Sequence, residues 1–385
     1  MLDKLLLMQY NINMKNKNIL YTLIAIIIIA LGAYFFNQSN IQADITKNKD
    51  GSANLSNNKT VNFGAVLALT GAAVNEGTEL KNGIEMAKAD LLKDGITMNV
   101  EYYDDATDPK KSIAGVEYMN SKGYKTIFGP TWSYMITAAL PKISEHGMTA
   151  YIGDTSSDVV DGDAKQKSNL VHGISPIYQI IDPSAAWIKD RGIKRLAILT
   201  VDGTWGIAHT NAWIKAAQQA GAEVVMQEKM DYTSEPTTIA TLTVKAKSLK
   251  VDGIVQTGTE AGAIALVKKM QELKYNVPVL GTVYLKVAVN TKKINKGDLD
   301  LSLIENKSSE EFKNKYKEMY KTNPSAVAEP AYDLAMIAAH TELEKGKRST
   351  QEYLLSKEHS GFASKYKFDA SGDVINHGWI VNPIK

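Results

Sequence analysis

Cysteine is absent from the 385 residues, which excludes disulfides, thiolate zinc sites, cysteine nucleophiles and thiol-anchored lipid. If exported, such a chain must draw its stability from packing. Histidine is scarce: His146, His172, His209, His340, His359 and His377 never stand close enough in sequence to make a metal pair on one helical turn. Neither charge is in excess, with Lys plus Arg at 44 and Asp plus Glu at 42, and past residue 60 neither sign forms long blocks. No nucleic-acid partner is indicated. The signatures of catalysis are missing as well: there is no G-x-S-x-G, H-E-x-x-H or P-loop, and no Ser/His/acid set stands out. The composition therefore speaks against an enzyme and for a protein without metal or cofactor.

The 44% of apolar residues suffices for the cores of two domains. A polar, basic stretch occupies residues 1–18, and residues 19–36 read ILYTLIAIIIIALGAYFF without a charge. That run exceeds the apolar region of a signal peptide, about 7–15 residues, and falls just short of the about 20 of a spanning helix. It is a signal peptide or a transmembrane anchor. Ile41 and Ala43 before Asp44 make a small-residue cleavage site, but without cysteine no lipid attachment follows, and the reading favours an uncleaved anchor. Lys15 and Lys17 precede the run, which places the rest of the chain outside the cytoplasm. Met14 is an alternative start. Residues 37–60, polar and rich in Asn and Lys, form a flexible linker.

From Val61 onward short apolar runs alternate with amphipathic stretches. VNFGAVLAL, MNVEYYDD, YKTIFG and MTAYIG read as strands, with helices between them, and the pattern restarts after Pro183 with RLAILTVDG, AEVVMQEKM, DGIVQTG and VPVLGT. Continuously apolar strands flanked by helices are the mark of parallel sheets covered on both faces. Two successive units of this kind make an α/β chain with two doubly wound, Rossmann-like lobes. A charged helix, a capped helix after Asn323-Pro324-Ser325 and a closing hairpin around Asp369-Ala370-Ser371-Gly372-Asp373 complete the pattern.

Ligands of open α/β sheets collect where strands end and helices begin, so the polar residues at those junctions are the candidates. At 129–134, Thr131, Trp132 and Ser133 follow the third strand. Ser133 is placed as an N-cap, or as a hydroxyl that joins free amides and the helix dipole to hold a carboxylate. Pro141 predicts a kink or an early end to that helix. At 153–158, Asp154, Thr155 and Ser156 offer caps or a polar wall. At 202–206, Trp205 between two glycine-containing turns suits a lid. Glu260, in Gly258-Thr259-Glu260-Ala261-Gly262, is a dipole partner or a partner for a ligand ammonium; the spacing is not that of a dinucleotide loop. Asp108 caps a helix whose first residue is Pro109.

In this order, VNFGAVLALTGAAVNEG, EYYDDATDPKKS, YKTIFGPTWS, RLAILTVDGTWG, VDGIVQTGTEAG, VPVLG and NPSAVAEPAYDLAMIA resemble the type I periplasmic binding proteins, specifically the branched-chain amino acid binding family that serves ABC transporters. The likeness spans roughly residues 60–385. It implies two lobes joined by three crossovers, lobe 1 being 61–180 plus about 306–350 and lobe 2 about 181–305 plus 351–385, with a ligand in the cleft and closure about a hinge. It puts Ser133 on a ligand carboxylate, Asp154, Thr155 and Ser156 at the following strand end, Trp205 over the ligand, and Glu76 at a position often aromatic in relatives. Two departures follow. The family's lid tyrosine maps to Thr259, and the acid that meets a ligand ammonium maps near Val283 or Tyr284. Glu260, Glu76 or Asp154 is then left to meet an ammonium, or the ligand is not an α-amino acid.

The resemblance implies a monomeric extracytoplasmic solute-binding protein that captures an amino acid or related carboxylate for an ABC permease. The alternatives are a sensing domain of a membrane receptor system and a binder of an amide or other non-amino-acid solute.

Overall fold

A computed structural model of the chain describes residues 59–384 apart from 291, 296 and 363. The apolar run 19–36 and most of the expected linker lie outside the described residues. Five strands make the first sheet, in the order β2 (Ile96–Asp104), β1 (Lys59–Leu67), β3 (Thr126–Phe128), β4 (Thr149–Ile152) and β5 (Leu170–His172). All pairs are parallel, and β1 and β2 run in register from Lys59 opposite Ile96 to Leu67 opposite Asp104. The helices between them are α1 (Val74–Lys93), α2 (Pro109–Ser121), α3 (Ser133–Glu145) and the short α4 (Ala164–Lys167). β1 thus starts at Lys59, inside the stretch expected to be linker.

After α5 (Ile181–Asp190) the same order is rebuilt. The second sheet runs β7 (Glu223–Met230), β6 (Arg195–Val201), β8 (Gly253–Thr257), β9 (Val279–Gly281), β10 (Leu301–Asn306) and, antiparallel at the edge, β13 (Trp379–Pro383). Its helices are α6 (Thr204–Ala220), α7 (Glu235–Ser248), α8 (Glu260–Glu272) and α9 (Val283–Asn290). The chain then returns to the first sheet with α10 (Glu310–Tyr320), α11 (Ala328–Glu344), α12 (Thr350–Leu355) and a small hairpin, β11 (His359–Ser360) with β12 (Lys365–Tyr366).

Successive side chains of a strand point to opposite faces, and both faces of each sheet are covered. Phe63, Ala65 and Leu67 of β1 join the core beneath α1 and α11, while Val66 joins the core beneath α2 and α3. Likewise Ala197 and Leu199 of β6 face one core and Leu196 and Ile198 the other. The apolar runs in the sequence have this double burial as their cause.

Three passages connect the sheets, at 173–180, 307–309 and 374–378, and the buried Ser175 ties them together. Its amide donates to Asn306 Oδ1 at 3.2 Å, its hydroxyl accepts from the amide of Gly378 at 3.0 Å, and its carbonyl accepts from Trp379 Nε1 at 3.1 Å. Residues 351–385 are divided between the two cores: Tyr353, Leu354, Tyr366, Phe368 and Val374 pack with the first, and only β13 joins the second sheet. The closing turn is the expected hairpin, with the Gly372 amide donating to Asp369 O at 3.0 Å and Phe368 paired to Val374.

Several local expectations need correction. α3 does not end early but runs through Pro141 to Glu145; the proline removes one donor from the ladder, while Met135, Ile136, Ala139, Leu140 and Ile143 bury a continuous face on both sides of it. α5 begins at Ile181 rather than after Pro183, since in a first turn the amide that proline lacks has no helical partner. α9, rich in β-branched residues, is not legible as a helix; Leu285 and Ala288 are its buried anchors. The cap at Asp108 is as read: its carboxylate accepts from the amides of Lys110 and Lys111 at 2.8 and 3.3 Å. Asp108→Ala is expected to lower stability by about 1 kcal/mol, seen as a lower thermal midpoint with ligand affinity unchanged.

Candidate functional site

In each sheet the first strand has neighbours on both sides, β2 and β3 around β1, β7 and β8 around β6. That is the point where strand order reverses, and ligands sit outside the carboxyl ends of the strands there. α1 and α6 start from these two ends and present Glu76 and Trp205 in their first turns. Across the gap between the sheets, Tyr284 at the start of α9 donates its hydroxyl to Glu76 Oε1 at 2.8 Å. Trp205 stands edge-on to the Tyr284 ring at 6.3 Å and 86°, and against His209 at 5.1 Å. Three residues named from the sequence, Glu76, Trp205 and Tyr284, are therefore brought together from both sheets. A second bond nearby joins Thr204 Oγ1 to the carbonyl of Val159 at 2.6 Å.

The other group forms at the ends of β3 and β4. Trp132, not Ser133, is the residue that precedes α3, and Ser133 is the first helical residue. A tryptophan side chain has no acceptor for the free amides of the first turn, so α3 has no side-chain cap. Trp132 has φ 64° and ψ 145°, a region nearly reserved for glycine that costs a non-glycine residue about 1–3 kcal/mol. Its amide donates to Asp154 Oδ2 at 2.7 Å, and its ring lies 5.8 Å from that of Tyr134. Asp154 also accepts from Thr155 Oγ1 at 3.2 Å. The carboxylate of Asp154 thus occupies ground at this helix start where a ligand anion was expected.

Electrostatics set these acids apart. Burial pushes the Glu76 carboxyl up, against the bond from Tyr284, and the charge of Glu260 adds to the rise. Burial likewise pushes Asp154 up to about 7, opposed by the bonds from Trp132 and Thr155 and assisted by the charge of Glu76. Burial first, then Glu76, holds the Tyr284 phenol well above its ordinary range. Around Trp205, burial pushes His209 down to about 4, so its imidazole is neutral at physiological pH.

The remaining candidates are committed to other partners. Ser156 donates to Asp158 Oδ1 at 2.6 Å. Thr155 is buried and its carbonyl accepts from His172 Nδ1 at 2.7 Å, which fixes the proton of that imidazole on Nδ1. Thr259 is the cap of α8, accepting from the Gly262 amide at 3.1 Å, and donates its hydroxyl to the buried Glu235 at 2.5 Å. Glu260 pairs with Lys293 at 3.0 Å. Sequence reasoning missed Glu235 and Tyr232, which follow β7, as well as Tyr134. The first two stand at one more strand-to-helix junction of the same kind, and applying the junction rule at 230–235 finds them.

A sequence model described as periplasmic binding protein matches residues 60–352, more than half of the chain. The chain belongs to the periplasmic binding protein family. A Leu/Ile/Val-binding protein, BraC3 of Rhizobium johnstonii, is 22% identical over 226 residues, covering 57% of this chain. The chain spans 60% of the length of that curated relative. Among solved structures, a solute-binding protein of an ABC transporter from R. palustris in complex with benzoate superposes with a TM-score of 0.72 at 16% identity, over 85% of this chain and 93% of the other. The branched-chain amino acid transporter substrate binding protein LivJ from Streptococcus pneumoniae, in complex with isoleucine, gives a TM-score of 0.68 at 18% identity, over 82% and 94%. These likenesses bear on the fold: this periplasmic binding protein has the α/β architecture of two lobes around a cleft.

Proposed function

We propose that the chain is an extracytoplasmic solute-binding protein that captures a small polar solute between its lobes and delivers it to an ABC transporter. The observation that carries this reading is the hydrogen bond from Tyr284 to Glu76, across the cleft at the reversal points of both sheets. A site assembled from two lobes is formed by closure and opened by hinge motion, and the passages laced through Ser175 are the hinge. Glu76, Asp154, Trp132, Ser133, Trp205 and Tyr284 are the residues proposed to meet the solute. Thr155, Ser156, Thr259 and Glu260 act behind them by holding the strand ends and helix starts. The apolar run 19–36 supplies export and, uncleaved, a tether to the membrane. Relatives named for leucine, isoleucine and valine, and one solved with benzoate, are in keeping with capture of a small solute.

Thermal unfolding of the full chain against a panel of amino acids, amides, amines and small carboxylates tests the reading. A solute at about 100 times its dissociation constant is expected to add about 2.7 kcal/mol. A panel in which no solute raises the midpoint contradicts solute capture.

A further inference from the structure

The wall contributed by the first lobe carries two carboxylates, Glu76 and Asp154, both half-buried. The charges that act on them are those of other acids, Glu260 on Glu76 and Glu76 on Asp154. Two lysines of the facing lobe are engaged elsewhere, Lys293 with Glu260 at 3.0 Å and Lys286 with Glu305 at 3.1 Å. Partly desolvated carboxylates with no counter-charge among the described residues are costly to ionise, and a bound cation removes that cost. Opposite them Trp205 and Tyr284 bring their rings together, and Trp132 and Tyr134 form a second aromatic pair. Aromatic faces attract cations. At the start of α3, where a ligand carboxylate was expected, the Trp132 amide already donates to Asp154.

Resting on the solute-capture reading, we propose that the cleft selects a small organic cation, an amine or guanidine of net positive charge, whose charged head lies between Glu76 and Asp154 and against the rings of Trp205 and Trp132. A free carboxylate on the ligand counts against it, because it meets Asp154 and Glu76 as like charges. A pH signature follows. Tyr284 and Glu260 act on Glu76, Glu76 acts on Asp154, and Glu79 lies beside Glu76, with Tyr232 beside Tyr284 and a neutral His209 behind Trp205. A cation needs the carboxylates ionised, so its affinity rises with pH as the two lose their protons. A carboxylate ligand shows the opposite trend.

Titration calorimetry on the full chain uses agmatine and putrescine as cationic probes and leucine and benzoate as comparators, at pH about 5.5 and about 8, on either side of the Asp154 value of about 7. The expected result is a cation bound at least about 10-fold more tightly than either comparator, and more tightly at the higher pH. Glu76→Gln and Asp154→Asn each weaken it by roughly 10- to 100-fold, with the unliganded thermal midpoint within a few degrees of the unsubstituted protein. If a variant does not fold, the pH dependence of the unsubstituted protein still decides. Tighter binding of leucine or benzoate than of the cations, or cation binding that weakens with pH, overturns the charge preference. If the amines fail while another solute of the wider panel binds, the preference is wrong and solute capture stands; if the whole panel fails, solute capture falls too.

Discussion

Stability is expected to decline as pH rises from about 5 to about 9, with Asp333 the largest contributor and Asp333→Asn removing much of the decline. Asp333 lies in the middle of α11 and is fully buried. One carboxyl oxygen accepts from the amide of Phe362, and the neighbouring Tyr366 hydroxyl opposes the rise that burial causes. The site is tight: a β-carbon on Gly361 would lie 2.7 Å from Oδ2. Burial pushes the carboxyl up to about 8. In the unfolded chain an aspartate titrates near about 3.9. Between those values the folded state holds a proton that the unfolded state has released. The stabilisation is fully present below the unfolded value and is lost as pH rises through the folded one, with a slope of at most about 1.4 kcal/mol per pH unit for one proton. Asp154, raised to about 7, acts in the same direction with a smaller effect because solvent reaches it. Asparagine keeps the shape and the acceptor for Phe362 without a charge to hold. Thermal midpoints at several pH values check this: the Asn variant should show the flatter profile and be the more stable protein at pH about 9. Parallel profiles for the two proteins contradict the assignment.

Gly77→Ala and Gly206→Ala are each expected to cost about 2 kcal/mol or more and to weaken solute binding. The two glycines hold matching places, in the first turns of α1 and α6, where each helix leaves the first strand of its sheet. A β-carbon on Gly77 would stand 2.0 Å from the carbonyl oxygen of Ala68, and one on Gly206 would stand 1.8 Å from that of Val201. Those oxygens are backbone and cannot turn aside, so the added methyl has to push the helix off the strand. Glu76 and Trp205 are the residues immediately before the two glycines, so the same retraction moves both walls of the cleft. Denaturant unfolding reads the first effect and titration calorimetry the second. Alanine variants as stable as the unsubstituted protein contradict the close approach.

Much of the fold is legible because its cause is one-dimensional. A strand buried on both faces is apolar throughout, as in RLAILTV, whatever its partners are. The cap at Asp108 is legible for a related reason, since it acts on amides two and three residues away, whereas the helix expected to be capped after Asn323-Pro324-Ser325 begins at Ala328 without a side-chain cap. The misses share the opposite cause. Pro141 stays inside α3 because of packing against residues far along the chain, and α9 is helical because Leu285 and Ala288 find a core, against the preference of its valines. Ser133 has the chemistry of a cap but stands one residue too late, since Trp132 makes the turn with positive φ.

The candidate site divides along the same line. The sequence by itself determined the alternation of strands and helices, the two units, and the run of polar and aromatic residues at every strand-to-helix junction, because those depend on local period and composition. It left the acids indistinguishable. Only the tertiary structure decided among them, by giving Glu260 to Lys293, Glu79 to Ser325 and Glu235 to Thr259. Glu76 and Asp154 remain on the cleft wall, with Glu76 meeting a tyrosine 208 residues away. The physical reason is that a carboxylate's role is set by the charge and donors within a few ångströms of it, and those arrive from elements distant in the chain.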